Sequence, residues 1–293
     1  MTSSLDSLLA RAETLFDRLD TLVPGSVEEP DWSQSIAFRY RRRKWGAGAL
    51  IPVTHLALTA FETLKEIEVQ KSRIRNNTAQ FVQGLPANNV LLTGARGTGK
   101  SSLVKACLHA FHSHGLRLVE VEKSDMVDLP DVLEVLAVRP EKFIVYCDDL
   151  SFDEGEAGYK ALKSALDGSI SATSSNVLIY ATSNRRHLLP EFHHENARYL
   201  HSDDGEVHPG EAVEEKISLS ERFGLWISFY PFNQEEYLAI VKQWLEGFEV
   251  RLPDETSYRA EALVWALERG SRSGRVAWQF ARDYAGRVGK DRL

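Results

Sequence analysis

Cysteine is nearly absent: Cys107 and Cys147 are the two in 293 residues, and both sit inside apolar patterns. Each is therefore expected to be a small buried side chain rather than a disulfide partner or a nucleophile, which fits a reducing compartment. No stretch reaches 18 uninterrupted apolar residues, which excludes a helical membrane span. The opening Met1-Thr2-Ser3-Ser4-Leu5-Asp6 lacks the basic start and apolar run of a secretory signal, so a soluble cytoplasmic protein with no membrane contact is expected. A basic excess is also lacking. The net charge of −7 argues against a surface coated for nonspecific nucleic-acid binding, although it leaves room for a local basic patch. Internal repeats and low-complexity tracts are absent, and 43% hydrophobic residues over this length suffice for one sizeable core and a smaller appended unit.

What is present begins at Gly94-Ala95-Arg96-Gly97-Thr98-Gly99-Lys100-Ser101, a complete G-x-x-x-x-G-K-[ST] phosphate loop followed by Ser102. Its flanks have the required order. Asn89-Val90-Leu91-Leu92-Thr93 is a short apolar run after a turn-like Leu85-Pro86-Ala87-Asn88, as a buried parallel strand should be. Beyond Lys100, Leu103, Val104, Cys107, Leu108 and Phe111 recur at helical spacing. Glycines let backbone N–H groups converge on phosphate, the lysine adds charge, the Ser101 hydroxyl can hold Mg²⁺, and a helix N-terminus favours an anion. The bland alternative is a Gly-rich turn with a solvated lysine; the flanking strand and helix argue against it.

Phe143-Ile144-Val145-Tyr146-Cys147 is a second apolar run and ends in Asp148-Asp149. In a parallel sheet the strand carboxyl ends open onto one crevice, so Asp148 should face the same Mg²⁺ as Ser101. Taken alone, the pair reads as a solvated acidic turn. A third run, Val177 to Thr182, ends at Ser183-Asn184, where an amide can orient an attacking water. Without the other motifs Asn184 would read as the asparagine of a strand-terminating turn.

Phosphate loop, acidic pair and strand-ending asparagine in this order and spacing resemble the AAA+ ATPase superfamily. Leu219-Ser220-Glu221-Arg222-Phe223-Gly224 is similar to that family's arginine-finger segment, and Gly274-Arg275-Val276-Ala277 to its sensor-2 motif. The resemblance implies that Asn184 acts as sensor 1, that Arg222 reaches the γ-phosphate of a neighbouring subunit, and that Arg275 contacts γ-phosphate from the lid of its own. From about Ala37 onward, segments such as Pro86-Ala87-Asn88-Asn89-Val90-Leu91-Leu92, Cys147-Asp148-Asp149-Leu150-Ser151-Phe152 and Tyr180-Ala181-Thr182-Ser183-Asn184 resemble the bacterial AAA+-like domain-of-unknown-function family 815. One departure stands out. Most AAA+ ATPases place Glu after the metal-binding Asp, whereas this chain has Asp149, whose reach is shorter by up to about 1.5 Å. Asp149 is expected to act as the base still; a shifted water or backbone can absorb the shorter reach, or the shorter reach can slow hydrolysis substantially. Arg185, Arg186 and Arg198 are rivals to Arg222 for the finger.

Phe38 to Trp45 interleaves aromatics with five basic residues, as a nucleic-acid grip would, or as a linker whose cations pair with acids. Leu5, Leu8, Leu9, Ala12, Leu15, Phe16, Leu19 and Leu22 form one helical stripe, expected to pack on the core or dock a partner. His109, His112 and His114, and the set His187, His193, His194, His201 and His208, do not have the spacing of a metal site.

The expected fold is α/β: a three-layer P-loop NTPase (AAA+) core with a parallel sheet, a helical N-terminal region and a C-terminal helical lid. Strands should begin near Asn89, Leu116, Phe143, Val177 and Leu225, with helices at 131–138 and 157–166 and three amphipathic segments after Pro231-Phe232-Asn233. The expected division is 1–48, 49–230 and 231–293. ATP and Mg²⁺ are the expected ligands, and a homo-oligomer, ring or stacked, acting on a protein client or nucleic acid is the expected assembly. No N-K-x-D segment supports guanine selection and no L-S-G-G-Q segment a transporter ATPase. Two other readings stay open: an ATP-switched binding module that hydrolyses slowly, and a small-molecule kinase.

Overall fold

The computed structural model describes residues 11, 27–43, 48–152, 156–167, 175–185, 188, 200–201, 207–208, 219–250 and 255–290. The strands are β1 (Ala37–Arg41), β2 (Ala49–Pro52), β3 (Val90–Gly94), β4 (Leu116–Glu120), β5 (Lys142–Cys147), β6 (Val177–Ser183), the two-residue pair β7 (Leu200–His201) and β8 (Val207–His208), and β9 (Leu225–Phe229). The helices are α1 (Glu68–Val82), α2 (Lys100–Phe111), α3 (Leu129–Ala137), α4 (Ala157–Asp167), α5 (Gln234–Gly247), α6 (Glu255–Glu268) and α7 (Gly274–Lys290).

Seven strands form one sheet in the order β2-β1-β4-β5-β6-β3-β9, parallel throughout except for the antiparallel β1–β2 pair. The continuous apolar runs follow from burial on both faces. Along β5, Ile144 and Tyr146 point into one apolar cluster while Phe143, Val145 and Cys147 point into the other. The first cluster holds Ile74 and Phe81 of α1 and Leu103 and Val104 of α2. The second holds Val132 and Leu136 of α3 and Tyr159 and Leu162 of α4. The sheet is thus the middle of three layers, and each fully buried Leu, Val or Phe contributes about 1.5–3 kcal/mol.

Residues 37–41 differ from the sequence expectation of a basic linker or grip outside the core. Phe38 and Tyr40 are buried while Arg39 and Arg41 point outward, the period-two alternation of a strand, and β1 pairs with β4. The cations are paired with acids: Arg39 with Glu120 at 2.7 Å, Arg41 with Glu122 at 3.0 Å, Arg42 with Asp128 at 3.4 Å and Arg43 with Glu28 at 2.6 Å. The amphipathic stripe of residues 5–22 lies outside the described residues apart from Arg11.

After β9 the chain enters α5 through a capping box: Asn233 Oδ1 accepts from Glu236 N at 3.0 Å, and Glu236 Oε2 accepts from Asn233 N at 2.7 Å. Helices α5, α6 and α7 pack together as the helical C-terminal region, and Tyr237, Val241, Ala262 and Phe280 join the same apolar cluster as α1 and α2. The C-terminal helices therefore share one apolar core with the α1 and α2 layer.

Candidate nucleotide-binding site

The phosphate loop leaves the end of β3 and enters α2 at Lys100. Gly94 lies against β9 so closely that a Cβ there would stand 1.9 Å from the Phe229 carbonyl oxygen, and Ala95 N donates to that oxygen at 3.2 Å. These two residues fasten the loop to the sheet rather than lining the cleft. Arg96 through Ser102 line it, together with Asp148, Asp149, Thr182, Asn184 and Arg275. The cleft has a volume of about 790 Å³, within the usual range for a small-molecule site. Ile67, Phe232, Ile240, Trp244 and Trp278 form the apolar wall of the same cleft.

Lys100 is almost wholly buried, and its ammonium donates to Gly94 O at 2.7 Å, Ala95 O at 2.8 Å and Asn184 Oδ1 at 3.0 Å. Burial pulls its pKa down to about 8 against the opposing pull of Asp149 and Asp148, and Arg96 adds to the lowering. These three oxygens use all three N–H donors of the ammonium, so a phosphate would bind it by replacing one or more of them.

Asp148 Oδ1 accepts from Ser101 Oγ at 2.8 Å, from Thr182 Oγ1 at 2.6 Å and from Asp149 N at 3.1 Å. Burial alone would push its carboxyl up, yet these donors hold it below the ordinary carboxylate value, so it is ionised at neutral pH. Ser101 and Asp148 thus meet directly, and their hard oxygen donors suit a divalent cation such as Mg²⁺. Asp149 adopts a left-handed backbone, φ +51°, and its Oδ1 accepts from Asn184 Nδ2. Arg96 Nη2 stands 3.6 Å from Asp149 Oδ2. The amide of Asn184 therefore bridges Lys100 and Asp149.

The lid touches the apex of the loop. Arg275 N donates to Gly97 O at 3.4 Å, and a Cβ on Gly97, whose φ is +72°, would stand 2.9 Å from Ser273 Oγ and 3.2 Å from Arg275 Cβ. Ser273 is buried and caps α7, accepting from Val276 N at 3.3 Å. Among the predicted site residues the structure brings together the loop, Asp148, Asp149, Asn184 and Arg275. Arg222 lies apart, outside the cleft, where its Nε donates to Asp167 at the end of α4. Of its rivals, Arg185 follows Asn184, while Arg186 and Arg198 lie outside the described residues.

Thr182, Ser273 and the apolar wall have no signature in the sequence. Thr182 alone was within reach, at the end of the apolar run that leads to Asn184. Among the described residues no group of three His, Cys, Asp or Glu side chains could hold a metal ion, and no helix is long and apolar enough to cross a membrane. His187, His193 and His194 lie outside the described residues.

A phosphate loop on β3, an acid at the end of β5 with β6 between them, and a helical region closing over the cleft define a P-loop NTPase fold of the AAA+ kind. Within that class, this chain belongs to the family described as "Protein of unknown function (DUF815)", whose model matches residues 33–288. No curated protein matches it. Among solved structures, the Thermotoga maritima RuvB Holliday junction branch migration motor is similar with a TM-score of 0.49 and 15% identity, over 76% of this chain and 63% of that one. Two variants of the same RuvB match with a TM-score of 0.48 and 16% identity, over 75% and 62%. This chain thus spans less than two thirds of those chains.

Proposed function

We propose that this chain binds ATP with Mg²⁺ in the cleft and hydrolyses it, within a homo-oligomer that acts on a protein or nucleic-acid partner. The observation that carries the reading is the convergence of Lys100, Asp148, Asp149 and Asn184 on the polar end of the cleft, joined by the hydrogen bonds described above. Residues 96–102 would surround the phosphates with backbone N–H groups and the Lys100 ammonium. Ser101 and Asp148 would hold Mg²⁺, which when bound supplies charge neutralisation for the phosphoryl group. Asp149 would accept the proton of an attacking water, Asn184 would orient that water, and Arg275 would reach the phosphates from the lid. Stacking of the base on the apolar wall of Trp244 and Trp278 fits its composition.

Arg222 would serve a neighbouring subunit's site, and its position outside its own cleft supports that assignment. Such an arginine is worth on the order of 10³ to 10⁵ in rate. Arg222→Ala should therefore bind ATP as wild type does and lose hydrolysis by about 1,000-fold; retained turnover would assign the finger elsewhere. The acid pairs on residues 39–43 weigh against a nucleic acid gripped by that segment.

The second reading is a slow-hydrolysing ATP switch, favoured by the engagement of Asp149 with both Asn184 and Arg96. Steady-state turnover beside Lys100→Ala separates the two. Rapid Lys100-dependent turnover removes the switch reading, and tight binding with almost no turnover removes the motor reading.

A further inference from the structure

Asp149 is one of three described non-glycine residues with a left-handed backbone, with φ +51°. That conformation is costly for side chains with a β-carbon, and least so for Asp and Asn, whose short polar groups bond locally. The turn is stapled to the end of β6 by Thr182 and Ser183. Thr182 Oγ1 accepts from Asp149 N at 2.8 Å and donates to Asp148 Oδ1 at 2.6 Å, while Thr182 O accepts from Leu150 N at 2.7 Å. Ser183 Oγ adds a bond to Leu150 O at 2.7 Å. One hydroxyl has one proton and two lone pairs, so Thr182 can donate to one acid and accept from the next without conflict.

The staple sets the direction of the carboxylate. Thr182 in β6 and Asn184 just past its end both line the cleft, and one grips Asp149 by its N–H and the other by its carboxylate. The left-handed turn folds the Asp149 side chain back to Asn184.

We infer that Thr182 is a positioning residue for Asp149: its hydroxyl holds the left-handed turn from which the Asp149 carboxylate meets Asn184. The inference rests on Asp149 being the base.

Two sets of variants test it. In single-turnover hydrolysis, Thr182→Val should lose about 100-fold in rate, the cost of misplacing a reacting group by about 1 Å. Its ATP affinity measured without Mg²⁺ should stay at the wild-type value, and Thr182→Ser, which keeps the hydroxyl, should restore the rate. A Thr182→Val protein with wild-type rate would overturn the inference. The second set needs no activity: Asp149→Gly should melt at a higher temperature than Asp149→Ala, because glycine adopts this backbone freely. Equal melting temperatures would overturn the strained left-handed turn that Thr182 is inferred to hold. If wild type itself does not hydrolyse ATP, the proposed ATPase fails, and the melting comparison still tests the turn.

Discussion

Replacing Gly97 by alanine adds one methyl group at the contact between phosphate loop and lid. Two costs combine. An alanine at φ +72° is strained by about 1–2 kcal/mol. The new Cβ would also stand 2.9 Å from Ser273 Oγ and 3.2 Å from Arg275 Cβ, and relieving such crowding costs about 1–3 kcal/mol. Gly115→Ala isolates the first cost, because Gly115 has φ +86° and nothing within 4 Å of its added Cβ. Urea unfolding of both variants should therefore show Gly115→Ala losing about 1–2 kcal/mol and Gly97→Ala about 2–5 kcal/mol. If the crowding is relieved by the lid moving off the loop, ATP affinity of Gly97→Ala falls about 5- to 150-fold, the equivalent of the contact cost. Gly115→Ala should bind ATP as wild type does. A Gly97→Ala protein no less stable than Gly115→Ala, with unaltered affinity, would refute the account of lid docking.

Burial pushes the Cys107 and Cys147 thiols up to about 12, with Asp148 adding to the rise at Cys147. At pH 8 to 9 the native protein should therefore resist a thiol-modifying reagent at both sites, and both should react once urea unfolds the chain, as mass spectrometry would record. Rapid double labelling of folded protein would contradict the burial. Tyr180→Phe removes a hydroxyl that accepts from Asn77 Nδ2 at 3.1 Å and lies 2.9 Å from Thr78 Oγ1. Both partners are buried, so the variant should lose about 1–3 kcal/mol by urea unfolding, and an unchanged midpoint would show that the network is not closed.

The parts of the fold that were legible in the sequence are those where one physical requirement dominates. Strands β3, β5 and β6 are buried on both faces, so their apolar runs are unbroken and their carboxyl ends carry the polar residues of the cleft. β1 was hidden because the arginines that alternate with Phe38 and Tyr40 are held by acids distant in sequence, such as Glu120, 81 residues on. α1 was hidden for a related reason. Its buried face includes Asn77 and Thr78, whose polarity breaks the apolar stripe, and whose partners Asn88 and Tyr180 are contributed by the fold. The same division holds at the site. Phosphate loop, acids and asparagine follow from residue type and order. By contrast, the role of Thr182, the left-handed turn at Asp149 and the contact of Ser273 with Gly97 depend on strands and helices meeting.

The central claim is that the assembled polar end of the cleft hydrolyses ATP through Asp149. Phosphate release should be measured with excess Mg²⁺ and ATP for wild type, Lys100→Ala and Asp149→Asn, alongside ATP binding by each. The account predicts turnover by wild type, loss of binding and turnover in Lys100→Ala, and retained binding with turnover lowered by at least about 100-fold in Asp149→Asn. Hydrolysis by Asp149→Asn at the wild-type rate would contradict it.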